Sequence, residues 1–314
     1  MKLTVSTPSR LHLGVIDYGV CEGKRRYGGF GVALEQPGFV LGFQSSDSLI
    51  VAGSQPERVK EIVEKFGNHF NFTPKATITV KEAIPPHIGL GSGTQLALAV
   101  AQGLSAIHDI KVPLDEIAGF LGRGGLSKVG IRTFERGGFI SDTLTKEERH
   151  LFRHEFPEEW AFVLVLPREV KERISGSIED ELFRQVDPKP ELMRKINRIL
   201  EEKVIPSLSE KDISSFGEGL TETDKLVGQY FSPAQKGEYL GEHTSQIINN
   251  ILEVGCYGAG QSSWGPVVYG LAKKEEAPRV AKDLGAHIKE KGINAEIWTS
   301  TANNMGAQIS TEST

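Results

Sequence analysis

Residues Pro85 to Gln95 read Pro-Pro-His-Ile-Gly-Leu-Gly-Ser-Gly-Thr-Gln and run straight into an alanine-rich apolar stretch, Leu96 to Ile107. Gly89, Gly91 and Gly93 allow a tight turn and a close backbone approach to a ligand. The helix that follows aims its unpaired N–H groups and positive dipole end at whatever sits there, which makes a seat for phosphate. Few residues of that helix are polar (Gln95, Gln102, Ser105, His108), so it is expected to be packed on several sides and to hold the seat rigidly. The lysine and Ser/Thr that close a nucleotide-triphosphate loop are missing. A bare glycine-rich turn is the alternative, but the alternation of the glycines with Ser92 and Thr94 favours the phosphate seat.

A chain of 314 residues has room for two domains. With 36 basic and 41 acidic residues and a formal charge of -5, it carries no general footprint for nucleic acid or a membrane surface. A small polar ligand fits better. No stretch approaches the ~20 apolar residues of a membrane span, and the N-terminus leads into a short strand, so a cytoplasmic protein is expected. The two cysteines, Cys21 and Cys256, are far apart and suggest neither a disulfide framework nor a zinc site.

Strand-like runs at Leu3–Val5, Gly31–Glu35, Phe39–Gln44, Ser48–Val51 and Ala76–Val80, with a helix at Glu57–Phe66, make the first half mixed α and β. The charged segment Arg149–Pro157 places a domain boundary near residue 150, giving domains 1–150 and 151–314. The second half opens with an apolar strand, Trp160–Leu166. It continues with helical patterns at Ile178–Gln185, Glu191–Val204, Ile213–Val227, Tyr239–Val254 and Ala277–Lys291, and strands at Pro266–Ala272 and Ala295–Thr299. Asn303–Thr314 reads as a frayed polar end.

Three further segments carry candidate chemistry. Gly255 to Pro266 contains Gly258, Gly260, Gln261, Ser262 and Ser263, which form either a nest of main-chain donors for an anion or a tight turn stiffened by proline. Between Gly122 and Gly138, Arg123, Lys128, Arg132 and Arg136 supply four cations. The last three share a face if helical, either for a multiply charged phosphate or as a solvated face with Glu135 as local partner. Near the N-terminus, a strand bearing Arg10, His12 and Asp17 could deliver polar groups to a pocket or hold satisfied structural ones. His150 and His154 have metal-like spacing but lie in a charged connector and read as surface.

Taken together, Pro8-Ser9-Arg10, Gly89-Leu90-Gly91-Ser92 and Gly258-Ala259-Gly260 resemble the three ordered motifs of the GHMP kinase superfamily. More narrowly, the glycine loop, Phe-Glu-Arg-Gly-Gly-Phe-Ile and Gly-Ala-Gly-Gln-Ser-Ser-Trp-Gly-Pro are similar to the beta-ribofuranosylaminobenzene 5'-phosphate synthase family, with Gln261–Pro266 the most specific part. The resemblance runs from Pro8 to about Tyr269. It implies an α+β, two-domain GHMP kinase-like fold: an N-terminal domain like one from ribosomal proteins and a C-terminal ferredoxin-like domain. Two departures from the kinases support the narrower match. Gly93 stands where kinases carry a second, magnesium-holding serine, and no aspartate follows Ser127.

The activity implied is a step of methanopterin synthesis in an archaeon or a bacterium that uses this cofactor. Phosphoribosyl pyrophosphate couples to para-aminobenzoate through a carbon–carbon bond, and carbon dioxide and pyrophosphate leave. That chemistry requires stabilising the pyrophosphate and holding an arene against an oxocarbenium-like carbon. The resemblance implies Gly89, Gly91, Ser92, Gly93 and Thr94, with Gly258, Gly260, Gln261, Ser262 and Ser263, at the phosphates. Arg123, Lys128, Arg132 and Arg136 are the catalytic, charge-neutralising candidates, and Arg10, His12 and Asp17 the substrate contacts. It further implies Mg2+, with Thr94 and Asp142 as candidate ligands, and a homodimer. A GHMP kinase using ATP and a non-catalytic ligand sensor of the same fold are the competing readings.

Overall fold

The computed structural model describes residues 1–21, 24–144, 149–169, 174, 177–235 and 237–311. Two sheets organise it. The first is built from two long strands, β1 (Lys2–Cys21) and β2 (Lys24–Ser45), joined by β3 (Ile50–Gly53), β4 (Ala76–Glu82), β5 (Phe139–Leu144) and β6 (Arg149–His154). Its order is β11-β1-β2-β4-β3, where β11 is Gln308–Thr311, while β5 pairs with β2 and with β6. Among its described strands, only β3 and β4 run parallel. The polar C-terminal segment expected to fray thus returns as an edge strand, held by main-chain pairing of Leu3–Ser6 with Thr311–Gln308. Its four side chains are exposed, so hydropathy gave no sign of it.

Helix α1 (Pro56–Phe70) follows β3, and α2 (Ser92–Ile107) is the helix of the glycine loop. As expected, α2 is buried on most of its surface, from Leu96 through Leu104. Gly103 lies against the Phe43 ring, where a Cβ would come within 2.3 Å of the ring carbons. Helices α3 (Leu114–Phe120) and α4 (Val129–Arg136) complete this half.

The second sheet begins at β7 (Trp160–Pro167) and is antiparallel throughout, in the order β10 (Ala295–Thr301), β7, β9 (Val268–Lys273), β8 (Gly258–Gln261). Sheet membership therefore changes between His154 and Trp160. Both faces of β7 are covered, which is why it reads as an unbroken apolar run. Phe162 and Leu164 join the main core, which is continuous with that of the first sheet. Ala161, Val163 and Val165 face a second core. That core is closed by Ile247 and Ile251 of α9 (Thr244–Glu253) and by Val280, Leu284 and Ile288 of α10 (Ala277–Glu290). Each such side chain contributes about 1.5–3 kcal/mol by burial.

Between β7 and β8 come α5 (Ser177–Gln185), α6 (Pro190–Ile199) with a π-helical turn at Leu200–Val204, α7 (Ile205–Glu210) and the 23-residue α8 (Ile213–Gln235). α8 crosses β8 in backbone contact. A Cβ on Gly217 would lie 2.2 Å from Tyr257 O, and one on Gly258 would lie 2.1 Å from Gly217 O. No other residue type allows two main chains this close. β8 is an edge strand, and side chains of α8 satisfy its outward donors: Ala259 N–H donates to Thr221 Oγ1 at 2.9 Å and Gln261 N–H to Asp224 Oδ1 at 2.8 Å.

Candidate functional site

The glycine loop behaves locally as its residues require. Gly89 and Gly91 have φ of +88° and +71°, and Gly91 caps α2. What closes around the loop comes from three other places in the chain. Arg10 from β1 packs its side chain on Gly91, where a Cβ would meet it at 3.2 Å. Arg123, after α3, lays its guanidinium over Gly93, with Nη1 3.1 Å from where a Cβ would stand. From the β8–β9 connection, Ser262 Oγ donates to Gly89 O at 2.8 Å and accepts from His12 N–H at 3.0 Å. One hydroxyl thus pins the glycine loop to β1.

A cavity of about 370 Å³ opens beside this junction. Arg10, His12, Thr94, Arg123, Gln261 and Ser263 all reach it. Arg10 is partly exposed as a residue, but its Nε and Nη1 are sealed from solvent without an acceptor, as is Nε of Arg123. Burial pulls the Arg10 guanidinium down to about 10 against the opposing pull of Glu179, which leaves it charged at neutral pH. Burial also lowers Arg123, again against Glu179. Arg58 of α1 is lowered by burial and then by its nearness to Arg123. His12 is pushed well below its ordinary value by burial and then by Arg10, so it sits neutral here. Guanidinium donors sealed from water without an acceptor are costly, and among the described residues the carboxylate that Arg10 and Arg123 both face is Glu179. The junction is therefore built for an incoming anion of more than one charge.

Another part of the cavity lining is aromatic. Phe183 of α5, Phe231 of α8 and Trp264 form a cluster with ring centroids 4.6–5.8 Å apart. Trp264 Nε1 donates to Glu179 at 3.2 Å, which joins this wall to the cationic one. Above Phe231 on the same face of α8, Asp224 reaches the cavity as a residue only 6 % exposed. Tyr239 Oη donates to Asp224 Oδ2 at 2.6 Å. Gly228 permits this approach, because a Cβ there would lie 2.7 Å from Glu238 O. Burial, aided by Glu238, raises the Asp224 carboxyl to about 7, despite the hydrogen bonds from Tyr239 and Gln261.

Several expected residues lie elsewhere. Gly258 and Gly260 do not form an anion nest. They are strand residues whose missing side chains admit α8, and a Cβ on Gly260 would lie 2.7 Å from Asp224 Cγ. Ser92 is buried at the start of α2, and Ser262 is spent on the loop clamp. Asp17 is engaged by Arg25 at 2.5 Å and by the Tyr230 hydroxyl, locking β1 to α8. Lys128, Arg132 and Arg136 do share a side of the molecule, but Asp115 and Glu135 answer their charge. Asp142 accepts from Lys128 N–H at 2.6 Å and braces the turn before α4 rather than reaching the cavity. Among the described residues there is no group of three His, Cys, Asp or Glu side chains that could hold a metal unaided.

The sequence reading missed Glu179, Asp224, Tyr239 and the aromatic wall. Only Asp224 left a signal: it interrupts the apolar stripe Phe216, Leu220, Val227, Phe231 of a long helix.

Models of the GHMP kinase N-terminal and C-terminal domains match residues 57–133 and 204–290. Superposition on homoserine kinase from Cytophaga hutchinsonii gives a TM-score of 0.71 at 15 % identity, covering 98 % of this chain and 97 % of that one. Mevalonate kinase from Methanococcus jannaschii gives 0.71 at 17 % identity, covering 96 % and 98 %. The two-domain α+β fold is that of the GHMP kinases. Beta-ribofuranosylphenol 5'-phosphate synthase from Methanothermobacter thermautotrophicus is 33 % identical, over 91 % of this chain and 94 % of its own. The protein of that name from Methanocaldococcus jannaschii is 29 % identical over 98 % and 100 %. The chain belongs to the beta-ribofuranosylphenol 5'-phosphate synthase family. The relatives' name specifies a phenol product, where the sequence reading expected an aminobenzene.

Proposed function

We propose that the chain transfers a phosphoribosyl group from phosphoribosyl pyrophosphate to the carboxyl-bearing carbon of a para-substituted benzoate, releasing carbon dioxide and pyrophosphate. The observation that carries this reading is Arg10: a cation whose Nε and Nη1 are buried and unsatisfied, set beside Arg123 and the N-terminus of α2, on a cavity that also carries an aromatic cluster.

In this mechanism the α2 N-terminus, Arg10 and Arg123 take up charge that grows on the departing pyrophosphate. Phe231, Trp264 and Phe183 stack the arene against the ribosyl carbon as it loses its leaving group. The new bond forms at the ring carbon that bears the carboxylate. The ring-to-carboxylate bond then breaks, its electron pair returns to the ring, and carbon dioxide departs. Neutral His12 beside Arg10 suits a hydrogen bond to the sugar phosphate or ribose. Magnesium is bound by one or two carboxylates plus substrate phosphates, and Glu179 and Thr94, both on the cavity lining, would hold it there together with the pyrophosphate. Bound there, the ion would neutralise the pyrophosphate. The relatives' name supports para-hydroxybenzoate as acceptor alongside the para-aminobenzoate that the sequence motifs suggest.

The test is release of labelled carbon dioxide from carboxyl-labelled para-aminobenzoate and para-hydroxybenzoate, with phosphoribosyl pyrophosphate and magnesium. Release that depends on the pyrophosphate sugar, with none on ATP alone, is expected. Folded protein that releases none from either acid rules the reading out.

A further inference from the structure

Asp224 is a buried carboxyl group that no step above uses. It sits on the cavity face of α8, two helical turns before Phe231, and so at one end of the aromatic slot in which the arene would lie. Its two oxygens are each held by a different donor, Oδ1 by the main-chain N–H of Gln261 in β8 and Oδ2 by the Tyr239 hydroxyl. A carboxylate with one donor on each oxygen keeps an acceptor site on each. Among the described residues, the groups that face it are Gln261, Tyr239, Glu238 and, from β9, the buried Tyr269 hydroxyl, and none of them is a cation. The other ionisable groups of the cavity are differently placed. Glu179 faces Arg10 and Arg123, His12 stands against Arg10, and Glu238 is exposed.

We propose that Asp224 is the base for the para substituent of the acceptor. It takes the hydroxyl proton of para-hydroxybenzoate as the ring carbon attacks the ribosyl carbon, and returns that proton to the product oxygen once carbon dioxide has left. This rests on the transfer reaction above and assigns one residue's part in it. The balance closes without an added reactant. The O–H bond breaks toward Asp224, the oxygen pushes electron density through the ring into the new carbon–carbon bond, and pyrophosphate leaves with its own pair. Loss of carbon dioxide returns a pair to the ring, and the phenolate recovers its proton. A neutral phenol is a weak carbon nucleophile and needs this help. A para-amino group already pushes its lone pair into the ring and can attack before any proton is lost. Asp224 therefore sets acceptor selectivity as well as rate.

The experiment compares both acceptors in the full-length wild-type chain, Asp224→Asn and Tyr239→Phe, each checked for folding by circular dichroism. In Asp224→Asn, kcat/KM for para-hydroxybenzoate should fall by roughly 10²–10⁴-fold, the usual contribution of a general base. The fall for para-aminobenzoate should be markedly smaller, and KM for phosphoribosyl pyrophosphate should hold. The wild-type rate with para-hydroxybenzoate should rise with pH through a limb near 7 that Asp224→Asn lacks, because the base must be ionised to act. Tyr239→Phe loses one hydroxyl, which removes a donor that favours the carboxylate. It should move that limb to higher pH while the plateau rate survives, which keeps the test intact if Asp224→Asn does not fold. Equal losses on both acceptors, or a limb that Tyr239→Phe leaves in place, overturn the role of Asp224 while the transfer stands. Wild-type turnover of the amine alone does the same. Turnover of neither acid overturns both.

Discussion

Gly260 and Asp224 occupy each other's space: a Cβ on Gly260 would stand 2.7 Å from the Asp224 carboxyl carbon and 2.6 Å from the buried Tyr269 hydroxyl. The next residue, Gln261, donates its main-chain N–H to the same carboxyl at 2.8 Å. The Gly-Ala-Gly-Gln run is thus the surface on which a helix lays a carboxylate. Neither neighbour is the loose end of a flexible chain, so Gly260→Ala must push Asp224 or β8 aside. Overpacking of this kind costs about 1–3 kcal/mol. Urea unfolding should show that loss, and the carbon dioxide assay should show a lower kcat. A variant as stable and as active as wild type would mean that the helix–strand contact has slack.

Arg10 trades stability for binding. Its Nε and Nη1, sealed from solvent without acceptors, are costly in the free protein, and an apolar side chain of similar length removes that cost. Arg10→Met should therefore melt no lower than wild type. With wild type, pyrophosphate should raise the melting temperature, since a ligand at 100 times its Kd stabilises by about 2.7 kcal/mol. In Arg10→Met that rise should vanish. A full pyrophosphate shift in the variant would remove Arg10 from the anion site.

Arg123 and Arg132 look alike in the sequence and differ in the structure. Arg132 is held by Asp115 at 2.7 Å and Glu135 at 2.9 Å, partners themselves half-exposed, and such surface pairs contribute about 0–1 kcal/mol. Arg123 reaches the cavity over Gly93 with an unsatisfied Nε. Losing a charged hydrogen bond costs about 1.5–3 kcal/mol. Arg123→Ala should thus raise KM for phosphoribosyl pyrophosphate roughly 10- to 100-fold. Arg132→Ala should leave it unchanged. Steady-state kinetics on the two variants decide between the helix face and the loop as the charge-neutralising element.

How much could be read beforehand depends on whether the partner is near in sequence. The glycine loop and the burial of α2 were legible, because a turn and its helix are local. The convergence of Arg10, His12, Thr94, Arg123, Gln261 and Ser263 on one cavity was suggested by the ordered motifs taken together, and by no single one of them. The engagement of Asp17 by Arg25 and Tyr230 was not legible, since the tyrosine lies 213 residues away. Nor was the neutralisation of Lys128 and Arg132 by Asp115, which depends on how α3 packs on α4. Glycines at 258 and 260 announce a close approach. They do not say whether a phosphate or a helix makes it. The aromatic wall joins α5, α8 and the β8–β9 connection, so no periodicity within one element reveals it.

Asp224 and His12 make opposite demands on stability as pH changes. Asp224, raised by burial to about 7 from an ordinary 3.8, holds a proton in the folded state that the unfolded chain has lost over that interval. Its contribution to stability is fully present below about 3.8 and is lost as pH rises toward 7, at up to about 1.4 kcal/mol per pH unit. His12, held well below its ordinary 6.5, refuses a proton that the unfolded chain accepts, so its contribution is lost as pH falls below 6.5. Between pH 5 and 6.5 the two slopes oppose each other in wild type. Asp224→Asn removes one of them and leaves the histidine's in force. The change in unfolding free energy from pH 7 to pH 5 should therefore be less favourable in Asp224→Asn than in wild type by about 2 kcal/mol. Urea titrations of both proteins at the two pH values give this number directly. Parallel curves would mean that the Asp224 carboxyl is already ionised in the folded protein at pH 5.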